Sequence, residues 1–279
     1  MKDYIVLMIK GFFLGVANII PGVSGGTLAI TLGIYEDLIG AISHFFKNIK
    51  KNIKFLVPLG IGMVTSILLL SKVISFCLEK FPFPTTLFFI GLIVGGMPLL
   101  TKKIKSKKLK LSNLALFLLT FGIVMIMTFL NEGNNVVNLT NINFGQGVLL
   151  FLVGAIVAAT MVIPGISGSF VLMLLGYYKP IVGTISNLTN FSDLGHNLLV
   201  LIPFGIGVLV GIILIAKLIE FLFNKYEIPT YYAIIGFIVA SVIGLIVGLV
   251  GVNLTTLQVL IGLILFVLAF GIGYKLGDD

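Results

Sequence analysis

Pro21-Gly22-Val23-Ser24-Gly25-Gly26-Thr27 recurs later in the chain, in similar form, as Pro164-Gly165-Ile166-Ser167-Gly168-Ser169-Phe170. The offset between the copies is 143 residues (164 − 21 = 143), and after a two-residue slip it becomes 145 (203 − 58 = 145). Glycine, proline, tyrosine and lysine positions coincide at these offsets: Gly11 with Gly154, Tyr35 with Tyr178, Pro58 with Pro203, Lys72 with Lys217, and Gly91 with Gly236. Similar hydropathy alone does not align so many such residues. We therefore infer an internal duplication, with a first repeat over 1–144 and a second over 145–279.

The composition places most of the chain in lipid. Of 279 residues, 58% are hydrophobic and 10% are charged, and the mean hydropathy is +1.20. A soluble domain carries about 25% charged residues. Outside the two motifs, apolar runs approach the roughly 20 residues that a membrane helix needs; they lie at about 55–78, 85–100, 111–130, 197–223, 230–250 and 255–274. The sequence predicts an all-α, polytopic membrane protein.

Segments 4–42 and 145–186 differ from these runs, because the Pro-Gly-x-Ser-Gly motif splits each of them into two apolar arms. Proline and glycine interrupt a helix at such a position. Each segment is therefore a re-entrant hairpin or a pair of full spans with a tight turn, and the pattern leaves both open. Each repeat is predicted to contain one such hairpin followed by three transmembrane helices.

The lysines predict an orientation. All 18 basic residues are lysine, and the net charge is +8. If neither hairpin changes sides, the loops 43–54 and 101–110 share one side with both termini, whereas 79–84, 131–144, 187–196 and 251–254 share the other and contain only Lys80. Positive charge marks the cytoplasmic side, so we expect cytoplasmic termini and two inverted repeats. Inverted repeats with broken helices at matching positions are typical of transporters, although glycine-rich breaks also serve helix packing alone.

The breaks are also candidate anion sites. Serine is a favoured N-cap residue, and the first amides of a helix have no partner within it. In lipid those amides must face protein or a polar cavity, and helix N-termini favour anions. Two converging breaks are predicted to hold a phosphate monoester, a carboxylate or a halide through Pro21, Gly22, Ser24, Gly25, Gly26, Thr27, Pro164, Gly165, Ser167, Gly168 and Ser169.

Charged residues within the apolar runs have two interpretations each. Lys72 and Lys217 either extend to the membrane interfaces or capture an anionic headgroup at each mouth of the protein. Glu36 and Asp37 are expected at the interface, about 18 Å along a continuous helix after Ser24, or else they carry a coupling proton. Glu220 follows Lys217 by one turn, which allows a local ion pair.

Other residue types exclude several classes of function. One cysteine and two isolated histidines provide neither an intrachain disulfide nor a cysteine or histidine metal cluster. The lysines lie between apolar segments, which is typical of membrane loops and not of a nucleic-acid surface. We expect no cofactor and no metal.

The residues Gly11-Phe-Phe-Leu-Gly-Val-Ala-Asn-Ile-Ile-Pro-Gly-Val-Ser-Gly-Gly-Thr27 and Ile163-Pro-Gly-Ile-Ser-Gly-Ser169 resemble the bacterial polyprenyl-phosphate transporter family over essentially the whole chain. The resemblance implies that the protein returns undecaprenyl phosphate from the outer to the cytoplasmic leaflet of the bacterial cell membrane, for reuse in cell-wall polymer synthesis. It also implies that the two motifs hold the phosphate. Because the chain has no arginine, lysines, hydroxyls and backbone amides must serve that purpose.

Two alternatives remain beside this interpretation. One is a transporter or channel for a small soluble anion. The other is a membrane enzyme acting on a lipid phosphate, which is disfavoured because the chain has no cluster of His, Arg or Asp to support phosphoryl chemistry. We predict a transporter and not an enzyme, with membrane lipids as partners; a coupling proton or sodium ion and the oligomeric state stay open.

Overall fold

The computed structural model describes residues 2–20, 23–105, 110–130, 137–140, 142–189, 193–252 and 254–278. These residues form helices and no strands, which confirms the all-α prediction. The helices are α1 (Lys2–Ile19), α2 (Gly25–Thr31), α3 (Tyr35–Ser43), α4 (Ile49–Lys80), α5 (Pro82–Ile104), α6 (Leu111–Phe129), α7 (Phe144–Val162), α8 (Gly168–Leu174), α9 (Tyr178–Thr189), α10 (Leu194–Val247) and α11 (Thr256–Asp278).

Six helices within the described ranges are long and apolar enough to cross a membrane, and the bent pair formed by α8 and α9 is a seventh candidate. The chain is therefore a multi-pass membrane protein. The predicted run 85–100 extends at both ends into α5, from Pro82 at its first turn to Ile104. Proline is well placed there, because the first turn needs no amide donor.

A shared backbone break relates the two repeats. The helix α10 is interrupted at Tyr226, where φ is −132° and ψ is 48°, and we call its parts 194–225 and 227–247 α10a and α10b. The same break separates α4 from α5 at Phe81, where φ is −133° and ψ is 55°. Tyr226 and Phe81 are 145 residues apart (226 − 81 = 145), and Pro229 and Pro84 follow each of them by three residues. The same break thus occurs at two positions that the sequence comparison pairs.

Helix packing joins the two halves of the chain. Within each half, α1 packs along α4 and α7 packs along α10a. Across the halves, α5 packs along α11, and α6 packs along α10b, where the Thr120 hydroxyl donates to the Ala233 carbonyl at 2.9 Å. Glycines allow close approach at these crossings. Gly11 packs against the backbone of Leu59, and its repeat counterpart Gly154 packs against the backbone of Phe204. The proposed boundary at residue 144 stays a prediction.

The second arm of each hairpin is bent, so the expectation of a continuous helix from Ser24 to Glu36 is wrong. After α2, the Ile34 amide donates to the Ala29 carbonyl and the Gly33 amide to the Ile30 carbonyl. Gly33 has a φ of +67°. This is a Schellman ending, which glycine favours because it has no Cβ. Gly176 ends α8 in the same way, with a φ of +76°, and α8 and α9 meet at 115°.

The larger hydrophobic core lies around α2, and a second lies around α7 and α8. Every residue of α2 after Gly25 is buried, and Leu28 and Leu32 are fully enclosed. Its counterpart α8 buries only Gly168, Val171 and Leu172. Because the two short helices are repeat mates in different surroundings, the structure is asymmetric about the two motifs.

Candidate functional site

The two motifs meet inside the protein. The Ser24 hydroxyl donates to the Ile163 carbonyl at 3.2 Å, and the Gly165 amide donates to the Thr27 hydroxyl at 2.7 Å. Tyr35, at the start of α3, donates to the Val162 carbonyl at 3.1 Å. A Cβ on Gly26 would lie 2.6 Å from that same carbonyl oxygen, so only glycine allows this approach. The predicted convergence of the two breaks is present for these residues.

The serines cap their helices differently from the expectation. Ser24 and Ser167 occupy the N-cap positions of α2 and α8 with extended backbone, yet neither side chain bonds the first turn of its helix. Ser24 donates across to the other motif, and Ser167 shares a 2.9 Å hydrogen bond with Ser169. Both helices have only seven residues, so their dipoles are short. Pro21 and Gly22 lie outside the described residues.

A cavity of about 360 Å³ opens beside the second motif. We call it the Ser167 cavity. Gly165, Ile166, Ser167 and Phe170 form its wall on the motif side. Three further helices contribute hydroxyl-bearing residues to the lining: Thr86 of α5, Thr128 of α6 and Ser241 of α10b. The Thr128 and Ser241 hydroxyls donate to the Val124 and Ile238 carbonyls of their own helices. The remaining lining is apolar, so the cavity offers hydroxyls for a small polar group and an apolar surface beside them.

Access differs between the two motifs. Ser24 is 3% exposed and Thr27 is 1% exposed, because each faces the backbone of the second motif. Ser167 is half-buried in the wall of the Ser167 cavity, and Ser169 is exposed. This conformation therefore opens the second motif and closes the first.

A smaller cavity of about 220 Å³ lies at the opposite end of α5. We call it the Glu36 cavity. Whereas Pro82 and Thr86 at the start of α5 line the Ser167 cavity, Leu99, Leu100 and Lys103 near its end line this one. Glu36, Asp37 and Tyr231 complete its polar wall. Among the described residues, the chain thus has one cavity toward each end of α5.

The sequence matches the family whose model is described as undecaprenyl phosphate translocase-like, over residues 14–259. The chain belongs to this family. A polyprenyl-phosphate transporter of Staphylococcus aureus is 32% identical over 97% of this chain and 95% of its own length. Another, from Vibrio cholerae, is 30% identical over 86% of this chain and 76% of its own length. No solved structure matches the chain significantly.

Family membership confirms the resemblance carried by the two motifs. Both relatives are named transporters, in agreement with the prediction that the protein is not an enzyme. Within the described ranges, no group of three His, Cys, Asp or Glu side chains could hold a metal ion.

The other charged candidates lie away from the motifs. Lys72 and Lys217 are exposed and line neither the Ser167 cavity nor the Glu36 cavity, so headgroup capture by them stays a prediction. Glu220 pairs with His44 at 3.0 Å, in place of the expected pair with Lys217. Glu36 accepts a hydrogen bond from Tyr231, and its position at the membrane interface stays a prediction.

The motifs and spacing of the sequence did not indicate that Thr86, Thr128 and Ser241 line the Ser167 cavity. A signal for two of them was available, because Thr128 and Ser241 are isolated polar residues in apolar runs. Such residues usually face protein and not lipid. Their convergence with Ser167 needed the packing of α6 and α10b.

Proposed function

We propose that this protein carries undecaprenyl phosphate, a polyprenyl phosphate, from the outer to the cytoplasmic leaflet of the bacterial plasma membrane. The observation that supports this most directly is the Ser167 cavity, where one family motif contributes to a hydroxyl-lined space with an apolar side. The family match and the two relatives named as polyprenyl-phosphate transporters supply the substrate class.

The physical task is to move a charged headgroup through hydrocarbon. An unpaired charge at the bilayer centre costs about 3 to more than 10 kcal/mol, depending on the method. In this proposal the hydroxyls of Thr128, Ser167 and Ser241 turn from their present partners to donate to the phosphate, together with that of Thr86, and replace part of its hydration, while the prenyl tail stays in lipid. A cavity of about 360 Å³ is large enough for the headgroup and the first part of a tail.

The lysines support an orientation for this proposal. The sequence from the end of α5 to residue 110 is rich in lysine, and by the positive-inside rule that side would be cytoplasmic. The Ser167 cavity, at the start of α5, then faces the outer leaflet. Two inverted repeats moving against each other would transfer the headgroup from this cavity past the motifs, by alternating access.

The test is the translocation of a fluorescent polyprenyl phosphate in proteoliposomes. Ser167→Leu narrows the cavity and removes a hydroxyl, and we expect it to slow translocation by about tenfold or more. Ser112→Leu is the matched control, because Ser112 is an exposed serine at the start of α6 that lines neither cavity. Unchanged translocation by Ser167→Leu would contradict the proposal. Competition by farnesyl phosphate, but not by inorganic phosphate or chloride, separates lipid transport from soluble-anion transport.

A further inference from the structure

The Glu36 cavity is built from the same positions of the repeat as the Ser167 cavity. Tyr231 is the repeat counterpart of Thr86 (231 − 86 = 145), and Lys103 is the counterpart of Gly248 (248 − 103 = 145). Thr86 and Gly248 line the Ser167 cavity, and Tyr231 and Lys103 line the Glu36 cavity. The second cavity therefore carries an ammonium group and a phenol where the first has a glycine and a threonine.

A carboxylate occupies the donors of this cavity. The Tyr231 hydroxyl donates to Oε1 of Glu36, and Nζ of Lys103 lies 3.8 Å from the same oxygen. Nζ of Lys103 also lies 5.9 Å from the centroid of the Tyr231 ring. Lysine and tyrosine thus approach one anionic oxygen from two elements, α5 and α10b.

We propose that Lys103 and Tyr231 form a second binding site for a phosphate monoester, and that the Glu36 carboxylate occupies this site until the substrate phosphate displaces it. A phosphate monoester carries a charge of about −1.5 to −2 and three strong acceptor oxygens. It therefore offers both donors more acceptor capacity and more charge than one carboxylate does. This inference rests on the proposed function. It places the substrate phosphate in the Glu36 cavity before its release into the cytoplasmic leaflet.

Glu36 is suited to leave. Its side chain is 58% exposed, although its hydrogen-bond partner Tyr231 is 2% exposed. It lies in the first turn of α3, directly after the glycine ending of α2 at Gly33. The Tyr231 donor is held by packed helices, whereas Lys103, at 47% exposure, and Glu36 both reach solvent. A rotamer change of Glu36 would free both donors, at the cost of its hydrogen bond to Tyr231.

Asp37 provides a matched control on the same helix turn. It lines the same cavity and carries the same charge, but Tyr231 and Lys103 engage Glu36 and not Asp37. Glu36→Ala and Asp37→Ala both remove one negative charge from the cavity. Only Glu36→Ala frees the two donors. A difference in affinity between the two variants therefore reports the freed donors, because the loss of one negative charge is common to both.

The experiment is calorimetric titration of the full-length protein in nanodiscs with farnesyl phosphate. We expect Glu36→Ala to bind about tenfold more tightly than the wild type, the equivalent of one charge-assisted hydrogen bond, and Asp37→Ala to change the Kd by less than about threefold, as expected of an exposed charge. Adding Lys103→Gln or Tyr231→Phe to Glu36→Ala should reverse the gain. If Glu36 were only a structural tether between α3 and α10b, Glu36→Ala would bind more weakly.

The outcomes separate this inference from the proposed function. Equal Kd values for Glu36→Ala and Asp37→Ala, with wild type still preferring farnesyl phosphate to farnesol, would overturn the second site alone. A wild-type protein that binds farnesyl phosphate no more tightly than farnesol would overturn the proposed function as well. Inorganic phosphate that displaces farnesyl phosphate at equal concentration would overturn the assignment to a lipid headgroup, and weaker displacement would support it.

Discussion

Replacing Thr27 by valine removes a side-chain acceptor that joins the second motif to the first through a backbone amide. The Thr27 hydroxyl is buried and accepts from the Gly165 amide at 2.7 Å. Valine keeps the shape, so packing is retained while a buried N–H loses its acceptor. Such a loss costs about 1–3 kcal/mol, and hydrogen bonds between membrane helices average about 0.6 with a maximum near 1.7. We therefore expect a loss of about 1–1.7 kcal/mol in the free energy of unfolding, the overlap of these ranges.

The assay is reversible unfolding in mixed micelles titrated with a denaturing detergent, with Thr31→Val as the control. Thr31 is on the same helix and equally enclosed at 2% exposure, but its hydroxyl donates to the Thr27 carbonyl within α2 at 3.2 Å. Its loss leaves no unpaired amide, so we expect a change below about 0.5 kcal/mol. Equal destabilisation by the two variants would refute the contact between the motifs. A larger effect of Thr27→Val supports it.

The remaining predictions concern access and backbone conformation. In a background with Cys77 replaced by alanine, we expect Ser167→Cys to react with a membrane-impermeant thiol reagent and Ser24→Cys to stay unmodified, because the first motif is sealed; similar labelling of both would count against the asymmetry. We expect Gly33→Ala to cost about 1–2 kcal/mol in unfolding free energy, since its φ of +67° is left-handed. Gly40→Ala, in open space within α3, should instead stabilise by about 0.5–1 kcal/mol, and a loss of stability there would point to a different helix packing.

Local chemistry determined the features that the sequence predicted. The hydropathy of the runs predicts membrane helices because lipid demands an internally bonded backbone, and the Pro-Gly-x-Ser-Gly motif predicts a break because proline and glycine act on their own neighbours. The duplication can also be recognised from the sequence, because finding it requires only a comparison of residue types at fixed offsets. The Schellman endings at Gly33 and Gly176 were also locally encoded, but the run of apolar residues around them suggested one continuous helix.

Only the tertiary structure decided how the two motifs are used. Serine at an N-cap can accept from its own helix or donate elsewhere, and Ser24 donates to the Ile163 carbonyl because that oxygen lies opposite it. The same holds for Glu36, whose partner Tyr231 comes from the other half of the chain. Repeat mates have nearly the same local sequence, so composition and spacing treat the two motifs alike. Their difference arises from which neighbours enclose α2 and leave α8 open, and those neighbours are set by packing between distant segments.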